Sequence, residues 1–336
     1  MERLLIIGGT GSLGRKLIER FLPKTEVAVF SRDENKQWTM RNETVNDARR
    51  TSLRFYVGDV RDQHRVRDVL RQYEPTTVII AAALKHVDTC ELSPNESVLT
   101  NLVGTQNVIS AVNDMARPPA SVLFVSTDKA CSPVNVYGMC KALSERVVTC
   151  QAKDAKANRS TAYLAVRYGN VLESRGSIVP LFKYQCERGE HLTVTDPNMT
   201  RFLMTLDDSV DLIARALRDG DSGSTWVPVL PSMRIGDLAE VFSERYGKPI
   251  RIVGLRPGEK KHEDLINESE SVRTTLLQKH YVIDPAYVAG NGKRFTYSSA
   301  DSVMTKDQLR AHLTTLGIID RPLSEFKGLS IEEIAK

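Results

Sequence analysis

Cysteine is scarce in this chain, with five among 336 residues, at Cys90, Cys131, Cys140, Cys150 and Cys186. The number is odd, the positions are scattered, and none forms a CxxC pair. Neither a disulfide framework nor a cysteine zinc site is supported, and no His/Cys/carboxylate spacing points to a metal. A reducing compartment is the simpler setting, and a cytoplasmic protein is expected. Long apolar runs are missing as well. After Met1-Glu2-Arg3 only Leu4 to Ile7 are continuously apolar, too few for a signal-peptide core and far below the roughly 20 residues of a membrane span. A strong charge bias is also lacking. The net charge is +4 with both signs interspersed, which argues against nucleic acid or an anionic membrane as partner while leaving room for a local basic cleft. Repeats and low-complexity segments are absent, and 41% hydrophobic with 26% charged residues is an ordinary globular balance.

What is present is alternation. Short β-branched or apolar runs stand at Leu4–Ile7, Glu26–Phe30, Leu53–Val57, Thr77–Ala82, Val122–Ser126 and Tyr163–Arg167. Helical patterns fall between them, near Gly14–Phe21, Asp62–Tyr73, Asn95–Met115 and Val136–Ala152. That rhythm predicts an α/β fold with a doubly wound parallel Rossmann sheet and right-handed crossovers. Past Gly169 the rhythm loosens and glycine and proline become frequent, with helices expected at Leu206–Arg218 and Ile235–Tyr246. The expected division is a dinucleotide-binding domain over residues 1–169, with a returning segment near 200–230, and a smaller mixed α/β substrate domain over 170–336. From about Ala300 onward one helix is expected, at Lys306–Leu316, with no assigned function.

The first strand runs directly into Gly8-Gly9-Thr10-Gly11-Ser12-Leu13-Gly14. Glycines at 8, 11 and 14 give a GxxGxxG form of the dinucleotide fingerprint, allowing a tight turn, close backbone approach to a pyrophosphate and close helix–strand packing. Gly8, Thr10, Gly11, Ser12, Leu13 and Gly14 are therefore candidate cofactor contacts. The second strand ends Phe30-Ser31-Arg32-Asp33. Ser31 and Arg32 suit a 2′-phosphate, and Asp33 comes late for the acidic residue of an NAD site, so NADP is expected. Asp59 fits either an adenine contact with Val60 or an ordinary turn cap, and Ala82, ending the fourth strand, completes the set.

Tyr137-Gly138-Met139-Cys140-Lys141 places a tyrosine and a lysine one turn apart on a helix face. An adjacent ammonium favours the phenolate, so Tyr137 is a candidate base near neutrality and Lys141 its partner. A surface Tyr and Lys with no chemistry is the plain alternative. Ser126-Thr127-Asp128-Lys129 then sets two charged side chains at the end of a buried strand, which is costly unless they are paired or used. They read either as an internal ion pair rimming the cleft or as acid–base groups.

On these motifs the chain resembles the extended short-chain dehydrogenase/reductase family. The resemblance implies that Tyr137 and Lys141 take a sugar hydroxyl proton as hydride passes to the nicotinamide, with Thr127 holding the same hydroxyl. Asn101 matches a supporting position in that family, and a backbone-packing asparagine is the equal alternative. Thr127-Asp128-Lys129 is similar to the polysaccharide-biosynthesis branch that dehydrates UDP-N-acetylglucosamine at C4 to C6 and inverts C5. By that likeness Lys129 handles the C5 proton, which requires a lowered Lys129 pKa, and Asp128 protonates the departing C6 hydroxyl. Further stretches resemble the same branch, from Ala81-Ala82-Ala83-Leu84-Lys85-His86 through Arg167-Tyr168-Gly169-Asn170 and Ser174-Arg175-Gly176 to Met199-Thr200-Arg201 and Arg256-Pro257-Gly258-Glu259. They imply Lys85, Asn170, Thr200, Arg201, Arg256 and Glu259 as substrate contacts, with Arg201 and Arg256 on the diphosphate and Glu259 on the ribose. Glu173 and Cys140 depart from the pattern. The resemblance also implies a homo-oligomer. His86 reads as structural or substrate-facing, and His262 as part of a solvated helix turn. A UDP-N-acetylhexosamine 4-epimerase and a non-catalytic NADP-sensing protein are the alternative functions.

Overall fold

The computed structural model describes residues 2–43, 50–157, 161–172, 174 and 176–322. All six expected strands form, as β1 (Arg3–Ile7), β2 (Glu26–Ser31), β3 (Leu53–Val57), β4 (Thr77–Ile80), β5 (Ser121–Val125) and β6 (Ala162–Val166). They are parallel and run β6-β5-β4-β1-β2-β3 across the sheet. Strand order reverses at β1, which pairs β2 on one side (Ile6 with Val29) and β4 on the other (Ile6 with Ile79). A crevice opens at the carboxyl ends of the strands at such a reversal.

β1, β2, β4, β5 and β6 are largely apolar because both faces are covered, whereas the edge strand β3 leaves Arg54 and Val57 exposed. Ile6, Val29, Ile79, Leu123 and Leu164 pack with Leu17 and Ile213 on one face. Leu5, Ala28, Val78, Val122 and Ala165 pack with Val66, Leu70, Val108 and Val148 on the other. Each fully buried Leu, Ile or Val contributes roughly 1.5–3 kcal/mol.

Two expectations on this half are corrected. β4 ends at Ile80 rather than Ala82, so Ala82 to Lys85 leave the ladder and become one wall of the crevice. The single helix expected over Asn95–Met115 is three pieces, with a π-helical stretch at Val98–Val103 between Pro94–Ser97 and Gly104–Asn113. Asn101 sits in the wide turn. Its side chain accepts from Leu84 N (2.8 Å) and donates to Leu84 O (2.9 Å), while its carbonyl accepts from the Thr105 and Ser144 hydroxyls. Asn101 therefore pins the loop after β4 and supports the backbone, the structural one of its two readings.

Three further strands extend the sheet beyond β6. Thr225–Pro228 lies parallel to β6, and the antiparallel hairpin Thr274–Leu277/His280–Ile283 forms the edge. Its turn holds Gln278 at φ 58°, with none of the Asn-Gly or Asp-Gly signals that make hairpins visible in sequence. A second core joins helices Ile178–Glu187, Ile235–Tyr246 and Lys306–Thr315 through Phe182, Phe242, Leu238, Leu309 and Leu313. No helix among the described residues is long and apolar enough to cross a membrane.

Candidate active site

A cleft of about 680 Å³ runs along the carboxyl ends of the parallel strands. The glycine turn forms its floor at one end. Gly8 has φ +88°, and a Cβ there would lie 2.6 Å from Ala82 N. At Gly14 a Cβ would lie 2.3 Å from Gly9 O, whereas at Gly11 the nearest atom would be 3.6 Å away. Gly8 and Gly14 thus let main chain meet main chain, and Gly11 keeps the cleft side bare. Gly11 caps helix Ser12–Phe21 without a side-chain bond, so its first amides face the cleft, an arrangement suited to an anionic pyrophosphate. Gly14→Ala is expected to cost about 3 kcal/mol through backbone displacement and to abolish dinucleotide binding. Urea unfolding and cofactor titration of that variant check both.

Gly8, Thr10, Gly11, Ser12, Leu13, Gly14, Ser31, Arg32, Val60 and Ala82 all line the cleft. Gln37 fixes Ser31 by donating to its Oγ (2.9 Å) and carbonyl (3.1 Å). The Asp33 carboxylate accepts from Lys36 N (2.9 Å) and pairs with Lys36 Nζ (3.1 Å). Asp59 does not line the cleft. It caps its own turn through Arg61 N, as the capping reading expects, binds the Arg61 guanidinium at 2.7 Å and lies 3.8 Å from that of Arg32. Its pKa is lowered because these Arg61 bonds outweigh the effect of partial burial.

Thr127, in extended conformation after β5, donates to Asp128 Oδ1 (2.9 Å) and starts the tight turn Asp128–Ala130. Asp128 is 1% exposed and its Oδ2 has no partner. Lys129 Nζ lies 3.1 Å from Asp128 Oδ1 and 3.3 Å from Glu263 Oε1. Burial pulls the Lys129 pKa down, but these two carboxylates outweigh it and hold it above the ordinary lysine value. The expected lowered pKa is therefore corrected, and Lys129 rests as an ammonium.

Asn135 caps helix Val136–Thr149 by accepting from Gly138 N (2.8 Å), which sets Tyr137 and Lys141 at the cleft. Burial pushes Tyr137 up to about 12, with Lys129 and a hydrogen bond to Thr127 opposing. Burial drops Lys141 to about 7, with Glu145 opposing. Lys141 Nζ donates to Val125 O and sits 3.9 Å over the Phe124 ring. Lys129, which the spacing did not point to, is a cation that favours the Tyr137 phenolate.

Lys85, Asn170, Arg256 and Glu259 also line the cleft, and Asn170 Oδ1 is buried without a donor. Thr200 and Arg201 do not. The Arg201 guanidinium donates to the carbonyls of Thr200 (2.7 Å), Lys260 (3.0 Å) and Lys261 (3.2 Å). Thr200 Oγ1 bonds His262 Nδ1 (2.8 Å) and Ser299 Oγ (2.7 Å). These residues brace the 260–263 segment. His262 is half-buried and outside any helix, which corrects the solvated-turn reading. His86 packs beside Gly176. Cys140 is buried and accepts a long bond from Ser97, whereas Glu173 and Arg175 lie outside the described residues. No metal-holding cluster occurs among the described residues.

Sequence reasoning missed three contributors. Glu263 arrives from a distant segment. Asn135 carries a readable N-cap signature, and it also donates to Gly258 O (2.7 Å), docking the Arg256–Glu259 loop onto the catalytic helix. Arg167 is buried between Glu145 and Glu270, bonding both carboxylates and Leu265 O.

A parallel sheet with its order reversed at a glycine turn, and a Thr/Tyr/Lys set beside it, define the extended short-chain dehydrogenase/reductase fold of nucleotide-sugar epimerases and dehydratases. The chain belongs to the polysaccharide biosynthesis protein family, whose pattern its residues 4–285 match. It is similar to a protein named UDP-glucose 4-epimerase from Rickettsia akari, at 41% identity over 100% of this chain and 94% of that one. It is 38% identical to an uncharacterized membrane protein of Methanocaldococcus jannaschii, over 95% and 97% of the two chains. Among solved structures, Pen from Bacillus thuringiensis superposes with a TM-score of 0.87 at 35% identity, covering 94% of this chain and 98% of that one. DesIV, a dTDP-glucose 4,6-dehydratase from Streptomyces venezuelae with NAD and TYD bound, shares the fold at 23% identity with a TM-score of 0.65, over 77% and 86% of the chains.

Proposed function

We propose that this protein is an NADP-dependent 4,6-dehydratase of UDP-N-acetylglucosamine that inverts C5. The observation that carries the reading is the Thr127-Asp128-Lys129 turn, which sets at the cleft wall, with Tyr137, a buried carboxylate whose Oδ2 has no partner among the described residues. Abstraction of a C4 hydroxyl proton needs only Tyr137 and Thr127. An added acid–base pair is needed when a C5 proton must leave and a C6 hydroxyl must depart as water.

The bare Gly11 surface and the close-packed Gly8 and Gly14 fit a dinucleotide. Ser31 and Arg32 would hold its 2′-phosphate, because Asp33 is engaged by Lys36. When bound, that cofactor supplies reversible hydride acceptance at C4, a capacity that no side chain has. Tyr137 acts as the phenolate, the form that the Lys129 charge and the Thr127 hydrogen bond favour against burial; it takes the C4 hydroxyl proton to become the phenol, and Thr127 orients that oxygen. Lys129 starts as an ammonium 3.1 Å from Asp128. Passing that proton to Asp128 breaks an N–H bond and forms an O–H bond. One transfer thus makes Lys129 a neutral base for the C5 proton and Asp128 an acid for the departing hydroxyl. Asn170 and Arg256 are placed to meet the diphosphate, for which a guanidinium is suited. Homo-oligomeric assembly belongs to the same proposal.

A 4-epimerase is the second reading, favoured by the name of the 41%-identical Rickettsia relative. Incubation with UDP-N-acetylglucosamine in heavy water without added cofactor, followed by NMR, separates them. A new C6 methyl group with deuterium at an inverted C5 is expected, and denaturation of the protein is expected to release NADP. A C4 epimer with its C6 oxygen intact overturns dehydration, and release of NAD overturns the cofactor assignment.

A further inference from the structure

Glu263 lies 134 positions beyond Lys129 in the chain, yet it is the second carboxylate on that ammonium, at 3.3 Å. It is 2% exposed and its Oε2 has no partner. A carboxylate in that setting carries a large desolvation cost unless its charge is used. Its placement is heavily built. Glu263 N donates to Ser299 Oγ (2.9 Å), and Ser299 N donates back to Glu263 O (2.8 Å). Thr200 N donates to Lys261 O (3.0 Å), and Arg201 braces the carbonyls of Lys260 and Lys261. Glu263 does not line the cleft, whereas Lys129 and Asp128 do.

We propose that Glu263 is a positioning residue that fixes Lys129 Nζ between two carboxylates and sets how firmly the Asp128–Lys129 pair keeps its single proton. The chemical part of this inference rests on the dehydratase reading above, and the electrostatic part stands without it. The charged and titratable groups facing Lys129 are Asp128 from its own turn, Tyr137 from helix Val136–Thr149, Arg201 from strand Thr200–Met204, and Glu263 with Lys260 from the segment before residue 264. Asp128 and Glu263 favour the ammonium, while Arg201 opposes it. Removing the Glu263 charge while keeping its shape leaves Asp128 alone against Arg201, so the pair releases its proton at lower pH. With Glu263 present the proton stays within the pair, available to shuttle to Asp128 and to return.

The test is Glu263→Gln, compared with wild type and with Glu263→Asp. The Lys129 ammonium is titrated by NMR of protein with isotope-labelled lysine, assigned through Lys129→Arg. The glutamine variant is expected to titrate at Lys129 lower by about one unit or more, with the aspartate variant between. In C5 deuterium exchange, the alkaline fall-off is expected to move to lower pH in the glutamine variant by the same amount. The KM for the sugar nucleotide is expected to stay within about twofold. Unchanged Lys129 titration in a folded Glu263→Gln protein overturns the inference, as does an unmoved pH profile accompanied by a raised KM. If Glu263→Gln fails to fold, the aspartate variant carries the same comparison. Should Lys129 titration shift while wild type shows no C5 exchange at all, the dehydratase reading falls and the electrostatic assignment stands.

Discussion

Lys129→Met is expected to lose C5 deuterium incorporation by about 10³-fold, and C4 oxidation is expected to fall less, because Lys129 also favours the Tyr137 phenolate. The variant is also expected to lose stability. Asp128 and Glu263 are 1% and 2% exposed, and Lys129 is the ammonium they share. Without it they face each other with Arg201, 3.9 Å from Glu263, and Lys260 as the nearby cations. Removing one partner from a buried ion pair typically costs about 3–5 kcal/mol, so urea unfolding is expected to show a loss of that order. Lys129→Arg separates the two effects. A guanidinium keeps the charge but does not give up its proton in the accessible pH range. It is expected to recover most of the stability and none of the C5 exchange. Full C5 exchange in the arginine variant would remove Lys129 as the base.

Arg167→Met is expected to be the most destabilising single change away from the cleft. Arg167 is 2% exposed, bonded to Glu145 and Glu270, and ties β6 to the catalytic helix and to the 264–271 segment. Burial pushes Glu270 up, yet Arg167 outweighs it and holds Glu270 down to about 2. A carboxyl depressed on folding stabilises above its unfolded pKa and loses that contribution as pH falls through its folded value. The Glu270 share, about 3 kcal/mol at neutral pH, is thus lost between about pH 4.5 and 2 in wild type. In the variant Glu270 loses its two hydrogen bonds from Arg167 and keeps only the longer contacts to Arg146 (3.6 Å) and Arg273 (3.9 Å), and protonation relieves it. The stability gap, about 3–5 kcal/mol at neutrality, is expected to narrow as the pH is lowered toward 4. Urea titrations across that range check the narrowing, and a gap constant with pH would show that Arg167 acts by packing alone. Tyr137 and Lys141 share a helix with Glu145, so turnover is expected to fall with the clamp.

The cofactor half was legible because its determinants are local. Gly8, Gly11 and Gly14 act within a single turn, where a missing Cβ decides how close two backbones come. β1, β2, β4, β5 and β6 declared themselves as apolar runs because each is buried on both faces. Thr127, Asp128 and Lys129 are consecutive, and Tyr137 and Lys141 are one helical turn apart, so their convergence needs only a strand end and a helix. The short hairpin after residue 274 was illegible for the opposite reason. Its turn lacks the usual residues, and its place is set by pairing with Thr225–Pro228.

By itself, then, the sequence determined the α/β sheet, the glycine turn and the residues that crowd the strand ends, since spacing along the chain dictates them. Only the tertiary structure decided their charge states and their company. Lys129 is protonated because Glu263 returns from far along the chain to share it with Asp128. Arg201 and Asp59, promising in sequence, are spent on carbonyls and on Arg61. A pKa depends on every charge within a few ångströms and on the water excluded around it, and both are properties of the packed molecule, not of any motif.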